Sequence, residues 1–515
     1  PPTGDPNTFK TIIRITDSNV TASSGPSAAI GSGSYSTNAT EIHINGGKIE
    51  ASNYSGSAIG SGDSAKGKTG IYITGSNVTA TADIGTGIGS GTSSSGETTI
   101  DISGGTVTAM GGGDGYDGSA GIGSGSHSTG YTHITLHDGV TVKATGGGNS
   151  SLGGGGGAGI GSGNRAKGNT DILIKGATKV TAKGGSTAAG IGSGRGVGDS
   201  KDPSVGSTTI TIRNSDDSRV IPIIDATGGG DENECCWSSG AGIGSGGNAL
   251  NKTTINIKGG EITATGGVSL DSRNHSDKWL SGAGIGSGSN VSGETEINIS
   301  GDSTIKSASG GKYGGAGIGS GSYSGSTPDS KKGAVTINIT GGNIEKATGG
   351  GEYVSSSKRW YSGAGIGAGL NAGTTTINIK DNAHIVSATG GKYGGAGIGS
   401  GSSDTKNNSK KGAVTINITD GTIEKAEGKN GGAGIGSGYY GRSSTVNISG
   451  NAELKDVKGG NLAAGIGSGY DSDKVDVVID GGTINATGGD SAAGIGSGLN
   501  SRSSVTIKSG TVNAK

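Results

Sequence analysis

All three tryptophans of this 515-residue chain stand at one place in a recurring phrase. They read Trp237-Ser-Ser-Gly-Ala-Gly, Trp279-Leu-Ser-Gly-Ala-Gly and Trp360-Tyr-Ser-Gly-Ala-Gly, each indole four residues ahead of the same alanine. Tyr313 and Tyr393 stand three residues ahead of theirs in Lys-Tyr-Gly-Gly-Ala-Gly, and Tyr116 repeats the placement alone. A row of rings suits a polysaccharide, because sugar C–H faces pack on aromatic faces while flanking polar groups take the hydroxyls. Lys278, Arg359, Lys312 and Lys392 lie beside these rings and suit hydroxyls or an acidic sugar. The competing explanation is a structural stack that pins the long loops Gly228 to Gly240, Gly266 to Gly282 and Gly349 to Gly363 to a sheet end. Those loops lengthen only where rings occur, which favours binding. The candidate ligand-binding set is therefore Trp237, Trp279, Tyr313, Trp360 and Tyr393, with Lys278 and Arg359.

Catalysis finds less support. Glycoside hydrolysis needs two carboxylates flanking a sugar, and elimination needs a base beside a held acid. Asp231, Glu232, Glu234, Asp271, Asp277 and Glu352 lie in the same loops, but none falls at a repeated position. The histidines have no metal-ligand spacing, and His133 and His137, four apart, are expected to face alike only in a helix. The adjacent Cys235 and Cys236 exclude a disulfide framework and are too few for a zinc site. A vicinal disulfide and two thiols both remain open. No catalytic residue, metal or cofactor is assigned. A net charge of −1 gives no electrostatic reason for nucleic acid or anionic membrane binding, and no apolar run approaches a membrane span. Ice binding needs a regular threonine lattice, and Ile-Glu-Lys-Ala, Ile-Val-Ser-Ala and Leu-Lys-Asp-Val interrupt it.

These residues need a scaffold that repeats, and the sequence supplies one. Ala-Gly-Ile-Gly-Ser-Gly or a close variant recurs fourteen times, centred on isoleucines from Ile30 to Ile495, at spacings of 29 residues or more. One fixed unit with variable loops is the signature of a solenoid, whose repeats bury their apolar faces only against neighbours. Between anchors, segments such as Thr253-Thr-Ile-Asn-Ile257 and Glu261-Ile-Thr-Ala-Thr265 alternate apolar and polar residues, as half-buried strands do. Gly259-Gly260 turns the corner between them. With 117 glycines, one Phe and 29% hydrophobic residues, a globular core cannot offset the ordering entropy, whereas stacked Ile columns can. The expectation is an all-β chain forming a single right-handed parallel β-helix of about fourteen rungs in three short sheets, roughly 65–70 Å long. Asn256, Asn298, Asn338, Asn378, Asn417 and Asn447 share one strand position, which points to a hydrogen-bonded ladder rather than glycosylation. If the anchor isoleucine faces inward, Gly159 and Gly161 lie on the opposite face. That leaves two readings: a bare strip for a ligand or self-association, or glycines required by backbone angle.

Thr-Thr-Ile-Asn-Ile, Gly-Gly-x-Ile-x-Ala-Thr-Gly-Gly and Gly-Ala-Gly-Ile-Gly-Ser-Gly together resemble repeats in large surface proteins of Gram-positive, often gut-dwelling, bacteria. The resemblance covers nearly the whole chain. It implies an extracellular or cell-surface address and adhesin-like or carbohydrate-binding neighbours, but no active site. On this view residues 1–8 are a linker and 9–515 the β-helix, truncated at both ends. The expected function is a non-catalytic adhesin or rigid stalk that binds an extracellular polysaccharide or host glycan along its aromatic edge. The alternative is a secreted polysaccharide lyase or glycoside hydrolase on the same fold. Duplication of Gly310 to Gly321 as Gly390 to Gly401, and of Lys331 to Thr340 as Lys410 to Thr419, shows that length itself varies, which favours the stalk.

Overall fold

Each repeat lays down three strands, and each strand pairs in parallel with its counterpart one repeat later. The computed structural model describes residues 10–148, 154–176, 178–196, 206–216, 220–230, 238–271, 278–324, 327, 329–354, 359–403 and 412–515. The first ladder carries the Thr-x-Ile-x-Ile segments: Ala39–Asn45 pairs with Thr69–Thr74, which pairs with Thr98–Ser103, and so on along the chain. The second carries the x-Ile-x-Ala segments, among them Lys48–Asn53, Asn77–Ala82 and Thr106–Met110. The third is the Ile-Gly anchor, which forms a 14-stranded parallel sheet from Ile30–Gly31 to Ile495–Gly496. The chain is a parallel β-helix. Among the described residues there is no α-helix, and the one helical turn is the 3-10 segment Asp329–Lys331.

Instead of three separate sheets, the first two ladders join as one. Ser444–Lys458, Val475–Thr487 and Ser503–Ala514 run through the corner unbroken, so those ladders form a 30-stranded sheet.

The core follows from the alternation. In the rung after Ile243, Ile255 and Ile257 point inward from the first ladder and Ile262 and Ala264 from the second, and all are fully buried. The intervening Thr254 and Asn256 are half-buried on the outer face, as a pleat of period two requires. Each isoleucine so buried contributes about 1.5–3 kcal/mol. The cross-section is filled by five small or branched side chains per rung, which is why the chain can do almost without Phe and Met.

The anchor glycines close this cross-section. At Gly244, φ is +137°, and a Cβ would stand 1.8 Å from the carbonyl oxygen of Gly286 one rung on. A Cβ on Gly242 would stand 2.7 Å from the Gly284 oxygen and the Thr265 nitrogen. Of the two readings of this face, the bare strip fails, because the next rung's own backbone encloses it. Backbone angle and close approach together explain Gly244, and close approach explains Gly242.

Two side-chain ladders tie the rungs together. The Ser245 hydroxyl accepts the Gly288 N–H at 3.1 Å, and Ser287 accepts that of Gly321 at 3.1 Å. The same bond recurs from Ser61 to Ser468 and is interrupted where Ala368 replaces the serine. On the first ladder's outer face the expected asparagine ladder is present. Asn298, Asn338, Asn378, Asn417 and Asn447 each donate to the carboxamide oxygen one rung back, at 2.8–3.0 Å.

Candidate ligand-binding faces

The long inserts fold as antiparallel hairpins between the second ladder and the anchor. Val268–Asp271 pairs with Lys278–Ser281, setting Leu270 opposite Trp279. Gly351–Val354 pairs with Arg359–Ser362, setting Tyr353 opposite Trp360 and Glu352 opposite Tyr361. Strand alternation then sends Tyr361 inward and leaves Trp360 and Tyr353 outside.

The aromatic row divides accordingly. On the inner side, the Trp279 ring lies 4.4 Å from Tyr313, and Tyr313 meets Tyr361 edge-on at 6.2 Å. Tyr313, Tyr361 and Leu370 form a small buried cluster, with Val268 and Trp279 packed against it. Tyr313 is 4% exposed, so it is not available to a ligand. The Trp279 indole N–H is also enclosed and finds no partner among the described residues. For Tyr313 the structure corrects the expected open row, and Trp279 is partly buried against it: here the rings hold the first hairpin against its neighbours.

On the outer side two rings are open and Tyr393 is half-buried beside them. Trp360 is 40% exposed and Tyr353 37%. The Trp360 ring lies 4.4 Å from Tyr353 and 4.7 Å from Tyr393, and Tyr353 and Tyr393 are 6.5 Å apart. The Lys392 ammonium lies 5.2 Å from the centre of the Tyr393 ring. Tyr353 was not among the sequence candidates, because only the hairpin register places it across from Trp360. Trp237 and the two cysteines lie outside the described residues, as do Asp231, Glu232, Glu234 and Asp277. Lys278 and Arg359 begin the returning strands of the hairpins, but their side chains lie outside the described structure, like that of Asp271.

A third group, Tyr439, Tyr440 and Tyr470, follows later anchors, with Tyr439 and Tyr470 stacked at 5.2 Å. Burial, then the hydrogen bond with Tyr440, raises the Tyr439 phenol above the ordinary tyrosine range.

The histidines form a different face. His133 and His137 both lie half-buried on the outer side of strand Thr132–His137, because residues i and i+4 of a strand return to one face. That overturns the helix-only expectation. His137 Nε2 lies 2.8 Å from Asp101 and Nδ1 2.7 Å from Asp138. Burial pulls its pKa down, but these two hydrogen bonds outweigh it and hold the pKa above the ordinary value. The Tyr131 hydroxyl donates to Asp171, which with burial pushes its pKa up to about 12. His133 lies 3.8 Å from Glu97 and 4.0 Å from Asp171 through opposite ring nitrogens, a sandwich rather than a chelate. Among the described residues, no group of His, Cys, Asp and Glu is arranged to hold a metal ion.

A beta helix repeat family model matches residues 13–34, 42–63, 100–126, 172–195, 255–289, 337–370, 416–439 and 477–499. The chain is a β-solenoid repeat region. The matched segments recur from residue 13 to residue 499 and fall on the first ladder, the second ladder and the anchor of the first two rungs and then of every other rung. Comparison with curated proteins and with solved structures returned no match.

Proposed function

We propose that this solenoid is a non-catalytic, extracellular stalk of a bacterial surface protein that holds a glycan on the open platform of Tyr353, Trp360 and Tyr393. The supporting observation is that Trp360 and Tyr353 gather outside the core and remain exposed, with Tyr393 half-buried against them, although Tyr313 and Tyr361 on the same edge are packed away. A ring held open to water is stabilised less than a buried one, so its placement makes sense as a docking face. Lys392 flanks the platform and supplies a donor for hydroxyls. The repeat resemblance to large bacterial surface proteins supports the location and the stalk.

Retention on a panel of immobilised glycans tests this reading. Each stacked ring contributes on the order of 1 kcal/mol, so Trp360→Ala should weaken retention about fivefold at unchanged melting temperature. Trp279→Ala should instead lower the melting temperature and leave retention intact. Retention unaffected by Trp360→Ala and Tyr393→Ala together would remove the platform as a site. New reducing ends or unsaturated sugars in the panel would shift the assignment to a carbohydrate-active enzyme.

A further inference from the structure

We infer that a second face, the groove along the asparagine ladder, binds an uncharged, extended β-(1→4)-linked glycan. The site is separate from the aromatic platform: it lies at the corner between the first and second ladders, at the opposite end of the second ladder from the hairpins.

Three contiguous hollows mark it. One of about 490 Å³ is lined by Asn298, Asn338, Asn378 and Asn417 together with Thr340 and Lys380. A second of about 460 Å³ shares Thr340 with the first, and a third of about 520 Å³ shares Asn382 with the second. They follow the corner from Gly301 to Glu453.

The backbone changes over the same rungs. In the earlier rung Ile262 and Ala264 stand two apart, but the next rung inserts Lys306, so that Ile305 pairs with Ile262 and Ala308 with Ala264. The extra residue persists between Ile344 and Ala347, Ile385 and Ala388, Ile423 and Ala426, and Leu454 and Val457. It is lost again at Ile484 and Ala486. A bulge bends its strand and re-aims the side chains beside it. A column of bulges kept in register over five rungs and then discarded is a local shape, placed where the hollows lie.

The chemistry of the lining identifies the occupant. Each carboxamide of Asn338, Asn378 and Asn417 donates one N–H and accepts one hydrogen bond within the ladder. A carboxamide carries two donors and two acceptor sites, so each keeps one of each for the groove. This donor–acceptor pair repeats every rung, about 4.8 Å, close to the advance per sugar of a β-(1→4) chain, about 5 Å, so two rungs match its disaccharide repeat. Along the corner Asp302, Asp381, Asp420 and Glu453 outnumber Lys380 and His384, which opposes a polyuronate and favours an uncharged chain.

Titration calorimetry with cellohexaose, mannohexaose, chitohexaose and hexagalacturonate tests the inference on the intact chain. At least one uncharged hexamer should bind, and hexagalacturonate should not. Asn338→Val with Asn378→Val should weaken that binding at least fivefold. Leu173 and Val478 already occupy this ladder position in other rungs, so the fold accommodates the change. The same loss should appear on a Trp360→Ala, Tyr393→Ala background, in which the aromatic platform no longer contributes. No binding by any uncharged hexamer, or binding indifferent to the asparagine pair, would overturn the groove. Binding lost only with the ring variants would place the sugar on the aromatic platform and likewise refute the groove.

Discussion

Replacing Gly244 by alanine tests the closure of the rod at a single atom. With φ at +137°, the residue lies where L side chains are strained by about 1–3 kcal/mol. The new methyl would also stand 1.8 Å from the Gly286 oxygen and 2.8 Å from its carbonyl carbon, backbone atoms that cannot rotate away. Relief requires the two rungs to part, at the expense of the Ile243 N–H bond to Gly284 and the Ser245 N–H bond to Gly286. Two such bonds add about 2 kcal/mol to a strain of similar size, for a local cost of about 4 kcal/mol. A solenoid is a row of neighbours rather than one cooperative unit, so the effect should concentrate at the rungs of Ile243 and Ile285. Amide hydrogen exchange is the suitable assay, and protection at those rungs should fall about a thousandfold. Gly75→Ala is the matched control, since its Cβ would meet nothing within 4 Å at a φ of +62°. Equal protection in the two variants would refute the argument that close approach, rather than backbone angle alone, demands glycine at the anchor.

Ile318→Asp places an unpaired carboxylate among fully buried isoleucines and should lower the melting temperature markedly, by several kcal/mol of stability; an unchanged melt would mean that the anchor column is not the core. His137 has a folded pKa above its unfolded value of about 6.5, so its contribution is complete below that pH and is lost as pH rises through the folded value. The destabilisation by His137→Asn should thus be larger at pH 5.5 than at pH 8.5, and the reverse order would contradict the pairing with Asp101 and Asp138. Tyr131 should ionise near pH 12 in an ultraviolet titration, and Asp171→Asn should bring it back toward the ordinary tyrosine value. Removing the serine tie with Ser320→Ala should speed exchange of the Gly369 amide severalfold and leave distant rungs untouched.

The ladders were legible because they rest on local alternation: Thr253-Thr-Ile-Asn-Ile257 states its inner and outer faces in five residues. The asparagine ladder was legible for the same reason, since a polar side chain repeated at one outward register can meet only its own copies. The aromatic row was legible as a position but not as an exposure. Whether Tyr361 or Trp360 turns inward depends on the register of a hairpin whose turn lies in a variable insert, and Tyr353 joins the platform only through that register. The anchor serines share the inward phase of the isoleucine on paper, but the positive φ of the glycine between them breaks the alternation and turns each hydroxyl toward the next rung. The bulges were visible as four-residue phrases such as Ile-Glu-Lys-Ala, yet a phrase that disrupts one flat lattice discloses the bend it makes only when its neighbours are stacked beside it.

Because the strands run across the rod, their backbone hydrogen bonds point along it, and a pull on the two ends loads those bonds directly. Force would peel the coil one turn at a time rather than shear whole sheets. The shortest turn of 29 residues occupies about 4.8 Å of folded length and releases about 100 Å when drawn out. Each turn that yields therefore lengthens the tether some twentyfold locally while its neighbours keep their own bonds. A molecule held at one end and attached to a surface at the other would lose tension in steps before losing its grip, with the stacked glycines and serines acting as a series of mechanical fuses.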